Sequence, residues 1–145
     1  MARMTINLPD RFIFSTDIPI RIGDINHVGH VGNNSYLDII QEARARFLHS
    51  IGFEQNSKTR PIMTDAAIAY IKQCGYGQTL RVDIAAGDIT AKGFSLIYRV
   101  SDMKTGDEIV RAKTGHVYYD YKQQKVTTIP PDIKEKLMSQ ESRHI

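Results

Sequence analysis

Between Asp24 and Asn33 the chain reads D-I-N-H-V-G-H-V-G-N, a short run holding one carboxylate, two amides and two imidazoles. Carboxylates and imidazoles move protons near neutral pH, and amides with backbone N–H groups hold negative charge developing on an oxygen. Directly after it, Tyr36, Ile40, Ala43 and Phe47 fall at helical spacing, with Leu37, Leu48 and Ile51 widening the same face. That period predicts a helix from about Ser35 to Ile51. Asn34 or Ser35 caps its start, Ser35 with Asp38 three residues on in the manner of a capping box, and Gly52 supplies a left-handed stop. The polar residues thus precede a helix N-terminus, where free N–H groups and the positive end of the dipole stabilise an anion or an oxyanion. The arrangement suits attack on a carbonyl. The same residue types also make turns and caps, which is the other reading of Asp24 and the two Asn.

Other groups are weighed the same way. His27 and His30 have the spacing of a metal pair, but no Cys or acid stands at a matching distance to complete a tetrahedral set, so no metal is expected. Cys74, the single cysteine, excludes an internal disulfide and reads as a small packing residue unless a histidine lies beside it. Glu42 either reaches the loop or pairs with Arg46 four residues on. Tyr36 lies on the apolar stripe, where packing explains it and its hydroxyl is available to line a pocket.

The elements that must position these groups follow from length and period. A chain of 145 residues with 41% hydrophobic and 24% charged residues suits one globular domain with a real core. No apolar run approaches a membrane span, and the N-terminus lacks a signal-peptide core, which leads to the expectation of a cytoplasmic protein. The net charge of +3 and pI near 9.0 are mildly basic, and Lys and Arg are scattered. That excludes a nucleic-acid footprint and favours small anionic molecules. Ile18, Ile20 and Ile22 alternate as a half-buried strand would, with Pro19 marking an edge or a start. Glu54 to Arg60 reads as a mobile surface connection able to act as a lid. Past Pro61 a strand runs through Ile68 and Tyr70 to the neighbourhood of Cys74 and closes at Gly75-Tyr76-Gly77. From Thr79 the period is two: Leu80, Val82 and Ile84, then Phe94, Leu96, Tyr98 and Val100, then a strand from Glu108 to Tyr121. Gly87-Asp88, Lys92-Gly93 and Lys104 to Asp107 supply the turns. Pro130-Pro131 ends the sheet, Asp132 to Gln140 forms a short amphipathic helix, and the tail is expected to be disordered.

One helix apolar over so much of its surface, with consecutive strands joined by tight turns, predicts an α+β domain. A curved antiparallel sheet of about five to six strands wraps the long central helix. The domain spans 1–145, with its core over about 12–130 and the short helix at about 132–140. The open sheet edge favours pairing with a second subunit.

The run D-x-x-x-x-G-H-V-x-N-x-x-Y-L-x-x-x-x-E-A-R-x-x-F-L, with Ala69-Tyr70-Ile71, Thr105-Gly106 and Ile129-Pro130-Pro131 in their places, resembles the hotdog-fold acyl-CoA thioesterases. The likeness is to the hydroxybenzoyl-CoA thioesterase and YbgC-like branch, and it covers nearly the whole chain. It implies hydrolysis of an acyl thioester of coenzyme A or acyl carrier protein, without metal or organic cofactor, in a homodimer or dimer of dimers. A loop carboxylate acts as base or nucleophile, and N–H groups at the helix start, around Val31 and Gly32, polarise the carbonyl. Gly29, His30 and Val31 match the family's G-H-V turn, Asn33 its second Asn, Tyr36 its Tyr and Glu42 the helix acid. The family often has two acids in this loop. Asp24 matches the first; the second, three residues before the Gly, is Asn26, and Gly32 replaces the first Asn of the pair. An amide cannot act as a carboxylate base.

The candidate catalytic set is therefore Asp24, Asn26 and His30, and the candidate substrate-binding set Gly29, Val31, Gly32, Asn33, Tyr36 and Glu42. Two readings stay open. Either Asp24, His27 or Glu42 takes over the missing acid in a working thioesterase, or the protein is a hotdog accessory that binds an acyl thioester without cleaving it.

Overall fold

A computed structural model describes residues 3–53, 58–139 and 143–145. In chain order the elements are β1 (Phe14–Pro19), a 3-10 turn (Ile22–Asp24), α1 (Ser35–Ser50), β2 (Thr59–Tyr70), β3 (Thr79–Gly87), β4 (Gly93–Asp102), β5 (Glu108–Asp120), β6 (Lys125–Val126), α2 (Pro131–Met138) and β7 (Arg143–His144). The strands form one curved open sheet in the order β2-β5-β4-β3-β1-β7, with β6 on β5. Five strands are long, as the period-two stretches require, and β6 and β7 add two residues each. All described pairings are antiparallel except β1 with β7. This is the expected α+β hotdog architecture.

The concave face is apolar because alternate strand residues point to one side. Leu80, Val82, Ile84, Leu96, Val100, Val110 and Ala112 are buried against Tyr36, Ile39, Ile40, Ala43 and Phe47 of α1. Phe14 of β1 meets Phe47 edge-on, with centroids 5.5 Å apart. Each large apolar side chain so buried is worth roughly 1.5–3 kcal/mol. Leu37 departs from the expected stripe: it is 48% exposed, and Ile39 fills the core instead. At 100° per residue Leu37 falls on the flank of α1 that faces β2, where the helix no longer touches the sheet closely.

The end of α1 is a complete Schellman motif: Phe53 N–H donates to Leu48 O at 2.9 Å and Gly52 N–H to His49 O at 3.1 Å, with Gly52 at φ +96°. Its start differs from expectation. No side chain caps it, and Ser35 N–H instead donates to Gly32 O at 2.9 Å, continuing the loop into the helix by a turn.

Further differences have local causes. The Ile18, Ile20, Ile22 alternation breaks after Pro19, and Ile22 is 72% exposed because the chain turns there into the 3-10 segment. β2 begins before Pro61, which is tolerated because β2 is a sheet edge, and it ends at Tyr70, so Cys74 is a buried residue in the otherwise exposed segment beyond it. The tail is not wholly disordered: Arg143 N–H donates to Ile13 O and Ile145 N–H to Ser15 O, both at 3.0 Å, covering the free edge of β1. The expected lid begins with residues 54–57, which lie outside the described residues. Among the described residues no helix is long and apolar enough to cross a membrane.

Candidate active site

The loop before α1 is held by two side chains that each accept two hydrogen bonds. Asp24 is buried; its Oδ2 accepts Arg21 N–H at 2.8 Å and its Oδ1 accepts Arg21 Nη2 at 3.2 Å. Its backbone carbonyl also accepts Gly32 N–H at 3.0 Å, so Asp24 ties the start of the loop to its end. Asn26 Oδ1 accepts Val28 N–H and His30 N–H, each at 3.1 Å, while Asn26 N–H donates to His30 O at 2.7 Å. The turn between them needs Gly29 at φ +88°, a conformation with little cost only for glycine. At Gly32 a Cβ would sit 2.8 Å from Asn34 Oδ1, so a larger residue there would turn the Asn34 side chain aside.

Two donors expected to face a substrate are already used. Val31 N–H donates to Cys74 O at 3.0 Å, tying the loop to the segment after β2, and Gly32 N–H goes to Asp24 O. Among the described residues no protein group accepts from Asn33 or Asn34 N–H, which makes these the free donors at the positive end of α1.

A cavity of about 200 Å³ opens on this junction, lined by Asn26, His30, Val31, Asn33 and Tyr36 together with Tyr70, Ile71, Lys72 and Gln73. Tyr70 OH donates to Asn33 O at 3.0 Å, and the Tyr36 and Tyr70 rings lie 5.8 Å apart. Tyr36 OH meets Cys74 Sγ at 3.2 Å. Burial raises the Tyr36 phenol above its ordinary value, helped by the Cys74 contact, and burial likewise raises the Cys74 thiol. Both groups are neutral at pH 7, and Cys74 is a packing thiol bonded to a tyrosine.

Asp24 and Glu42 lie elsewhere. They line a separate cavity of about 500 Å³ on the β1 flank of α1, with Ile18, Pro19, Arg21, Asp38 and Arg46 among its walls. Glu42 pairs with Arg46 at 3.4 Å, and Arg46 also donates to Thr16 Oγ1 at 2.8 Å and Asp17 O at 3.0 Å. Of the candidate residues, the structure brings together Asn26, His30, Val31, Asn33 and Tyr36, sets Gly29 and Gly32 as backbone hinges, and parts Asp24 and Glu42 from them. Of the remaining lining residues, Tyr70 and Ile71 were marked only through the Ala69-Tyr70-Ile71 segment of the resemblance, and Lys72 and Gln73 carried no chemical signal of their own. Among the described residues no cluster of His, Cys, Asp or Glu can hold a metal ion. The smaller cavity, with no carboxylate among its described lining residues, offers an imidazole for proton transfer and N–H donors for a carbonyl oxygen.

Solved structures of the same shape are numerous. The chain superposes on Slr0204, a 1,4-dihydroxy-2-naphthoyl-CoA thioesterase from Synechocystis, with a TM-score of 0.79 at 22% identity, over 86% of this chain and 94% of that one. PA2801, a putative thioesterase from Pseudomonas aeruginosa, matches with a TM-score of 0.82 at 21% identity, over 86% and 98%. SAV2348 from Staphylococcus aureus, solved in complex with CoA, matches with a TM-score of 0.83 at 13% identity, over 94% and 90%. At these identities the likeness speaks for the fold. No curated protein matches the chain in sequence. The thioesterase-like superfamily model matches residues 20–137, most of the chain including the whole loop, α1 and strands β2 to β5. The chain therefore belongs to the thioesterase-like superfamily, and its reaction is thioester hydrolysis.

Proposed function

We propose that the protein hydrolyses acyl-CoA thioesters at the junction of the loop and α1, with His30 as general base and the free N–H groups of Asn33 and Asn34 holding the carbonyl oxygen. The observation that carries this is the cavity that gathers His30, Asn26, Asn33 and Tyr36 at the positive end of α1. The His30 imidazole takes a proton from water as the water oxygen attacks the carbonyl carbon. The tetrahedral oxyanion is held by the N–H donors, the C–S bond breaks, and the imidazolium returns its proton to the departing thiolate. Asp24 acts on structure, through Arg21 and Gly32.

The mildly basic chain suits the polyanionic nucleotide of coenzyme A, and a carrier-protein thioester offers the same reacting group. A cytoplasmic homodimer is part of this reading. β2 is twelve residues long, has β5 on only one side among the described residues, and exposes Met63 along its length and Tyr70 at its end, where Tyr70 and the exposed Ile71 after it line the cavity, whereas β7 covers the opposite edge of the sheet.

Asn26 supplies the test. Its Oδ1 is consumed by Val28 and His30 N–H, and its Nδ2 has no partner among the described residues. In Asn26→Asp one carboxylate oxygen keeps both backbone bonds, and the other replaces the amide nitrogen at the cavity. Release of free thiol from a panel of acyl-CoAs is expected for the native protein, with turnover rising about 10- to 100-fold in Asn26→Asp, the lower part of what a placed base supplies. No thiol release by either form would overturn the reading.

A further inference from the structure

α1 runs closest to β1 and β3 along the concave face. Its other flank carries Leu37 and, two turns on, Arg44, which reaches toward β4 and β5. Beneath that flank the buried apolar core is interrupted by a line of polar side chains. Tyr98 OH and Thr114 Oγ1 are 2.8 Å apart, and Thr114 Oγ1 and His116 Nε2 are 2.7 Å apart. All three are buried, and Phe94 stacks on the imidazole at 5.1 Å. The β4–β5 register puts Tyr98 opposite Ala112 and Leu96 opposite Thr114, which makes Tyr98 and Thr114 diagonal neighbours on one face.

The charged groups that act on this line are Arg44 at one end and Asp65 of β2 at the other. Burial pushes the His116 imidazole down to about 4, and nearby Arg44 acts in the same direction, so His116 is neutral. The Arg44 guanidinium, with five donors, makes one long contact, 3.4 Å to Tyr98 OH, and among the described residues no carboxylate pairs with it. A half-buried Arg beside an apolar wall, backed by hydroxyls that can relay donors, lacks the anion its planar fork matches. We infer that Arg44, backed by Tyr98, Thr114 and His116, recognises the far end of the acyl group, and that the acyl groups taken carry a terminal carboxylate. The inference deepens the thioesterase reading and rests on it for where the thioester end lies.

The reach is consistent. From Asn34 to Arg44 the helix rises about 15 Å, and an Arg side chain leans back toward the helix start. A medium-length acyl chain, such as one of octanoyl length, spans what remains. An unsubstituted chain would desolvate Arg44 without giving it a partner, so the site also selects against plain acyl groups.

The experiment compares octanoyl-, omega-hydroxyoctanoyl- and suberoyl-CoA as substrates, and their non-hydrolysable thioether analogues as ligands by calorimetry. Suberoyl is expected to exceed octanoyl by about 10- to 100-fold in kcat/KM and in affinity, the size set by leaving a buried charged donor unpaired, with the hydroxy compound between them. In Arg44→Met the ratio should fall to near one, and in Thr114→Val it should shrink severalfold. Arg44→Lys, which keeps the charge without the fork, should keep part of the ratio, and it decides the matter where Arg44→Met does not fold. A native preference for octanoyl, or a ratio that Arg44→Met leaves intact, overturns the inference and makes the polar line a structural network. If no thioester is cleaved while the thioether preference stands, the hydrolase reading fails and the anchor survives. If octanoyl-CoA is cleaved and no preference appears, the anchor alone fails.

Discussion

The two flanks of α1 are built from opposite chemistry. On the β1 flank Asp24 is paired with Arg21 and Glu42 with Arg46, and on the outer face of β1 Asp17 is paired with Arg81, whose hydrogen bond holds the Asp17 carboxyl below its ordinary value. On the β2 flank the groups are neutral or unpaired: Asn26, His30, Asn33, Tyr36 and Tyr70 around the smaller cavity, then Arg44 over Tyr98, Thr114 and His116. A carboxylate already bonded to a guanidinium and a backbone N–H has little left to offer a water, whereas an unengaged imidazole or N–H does. On the proposed mechanism the acids are therefore structural, and the chemistry belongs to the β2 flank. The largest expected effect follows from this contrast. His30→Ala should lower kcat by about 10²–10⁴, the usual worth of a general base, with the fold retained. A loss below tenfold in thiol release would move the base elsewhere.

The sequence made some of this contrast legible and concealed the rest. The Tyr36, Ile40, Ala43, Phe47 stripe and the alternating strands revealed the helix and the sheet, because burial of one face writes a period into the chain. The left-handed stop at Gly52 was legible for the same local reason. The fate of Asp24 was not, since Arg21 three residues earlier read as the outward position of a continuing strand; only the 3-10 turn brings its N–H and guanidinium onto the carboxylate. Val31 and Gly32 looked like oxyanion donors until tertiary partners, Cys74 O and Asp24 O, were seen to claim them. Tyr98, Thr114 and His116 lie on two strands whose register brings them together, and no local pattern marks a diagonal pair.

The next effect in size belongs to the neutral flank and is set by His116. It is buried with Thr114 on its Nε2, Phe94 on its ring and Arg44 nearby, while Asp65 acts in the opposite sense. Its folded pKa, about 4, lies below the unfolded value of 6.5, so between these values the unfolded chain binds more protons. Stability from this source is complete above pH 6.5 and is lost as pH falls toward 4, on the order of 3 kcal/mol in all. Urea midpoints at pH 7 and pH 4.5 should drop further for the native protein than for His116→Gln, which has no proton to gain. Equal drops would mean the imidazole is open to water.

On the charged flank the effects are smaller and fall on stability. Asp24→Ala strips the acceptor from Arg21 N–H and guanidinium and should cost about 1–3 kcal/mol, read as a lower denaturant midpoint at unchanged slope. Turnover per folded molecule should change less than fivefold, against the much larger loss in His30→Ala. A matching collapse of kcat in a folded Asp24→Ala protein would make its carboxylate the base and reverse the assignment of the two flanks.

The smallest effect tests the same boundary from the helix. Glu42 is 54% exposed and, among the described residues, pairs with Arg46, four residues on at 3.4 Å, an exposed pair worth about 0.3–0.5 kcal/mol. Arg46 keeps Thr16 Oγ1 and Asp17 O when Glu42 is removed, so no buried charge is left stranded. Glu42→Ala should therefore shift stability by less than about 0.5 kcal/mol, and thiol release should stay within twofold of the native rate. The result is informative because Glu42 and Asp24 share the larger cavity, which is roomy enough for a substrate group. If Glu42→Ala were to cut kcat more than tenfold without lowering the midpoint, a substrate or water would have to meet that carboxylate. The reaction would then belong to the acid-lined side of α1, with the loop of Asn26 and His30 left as its support.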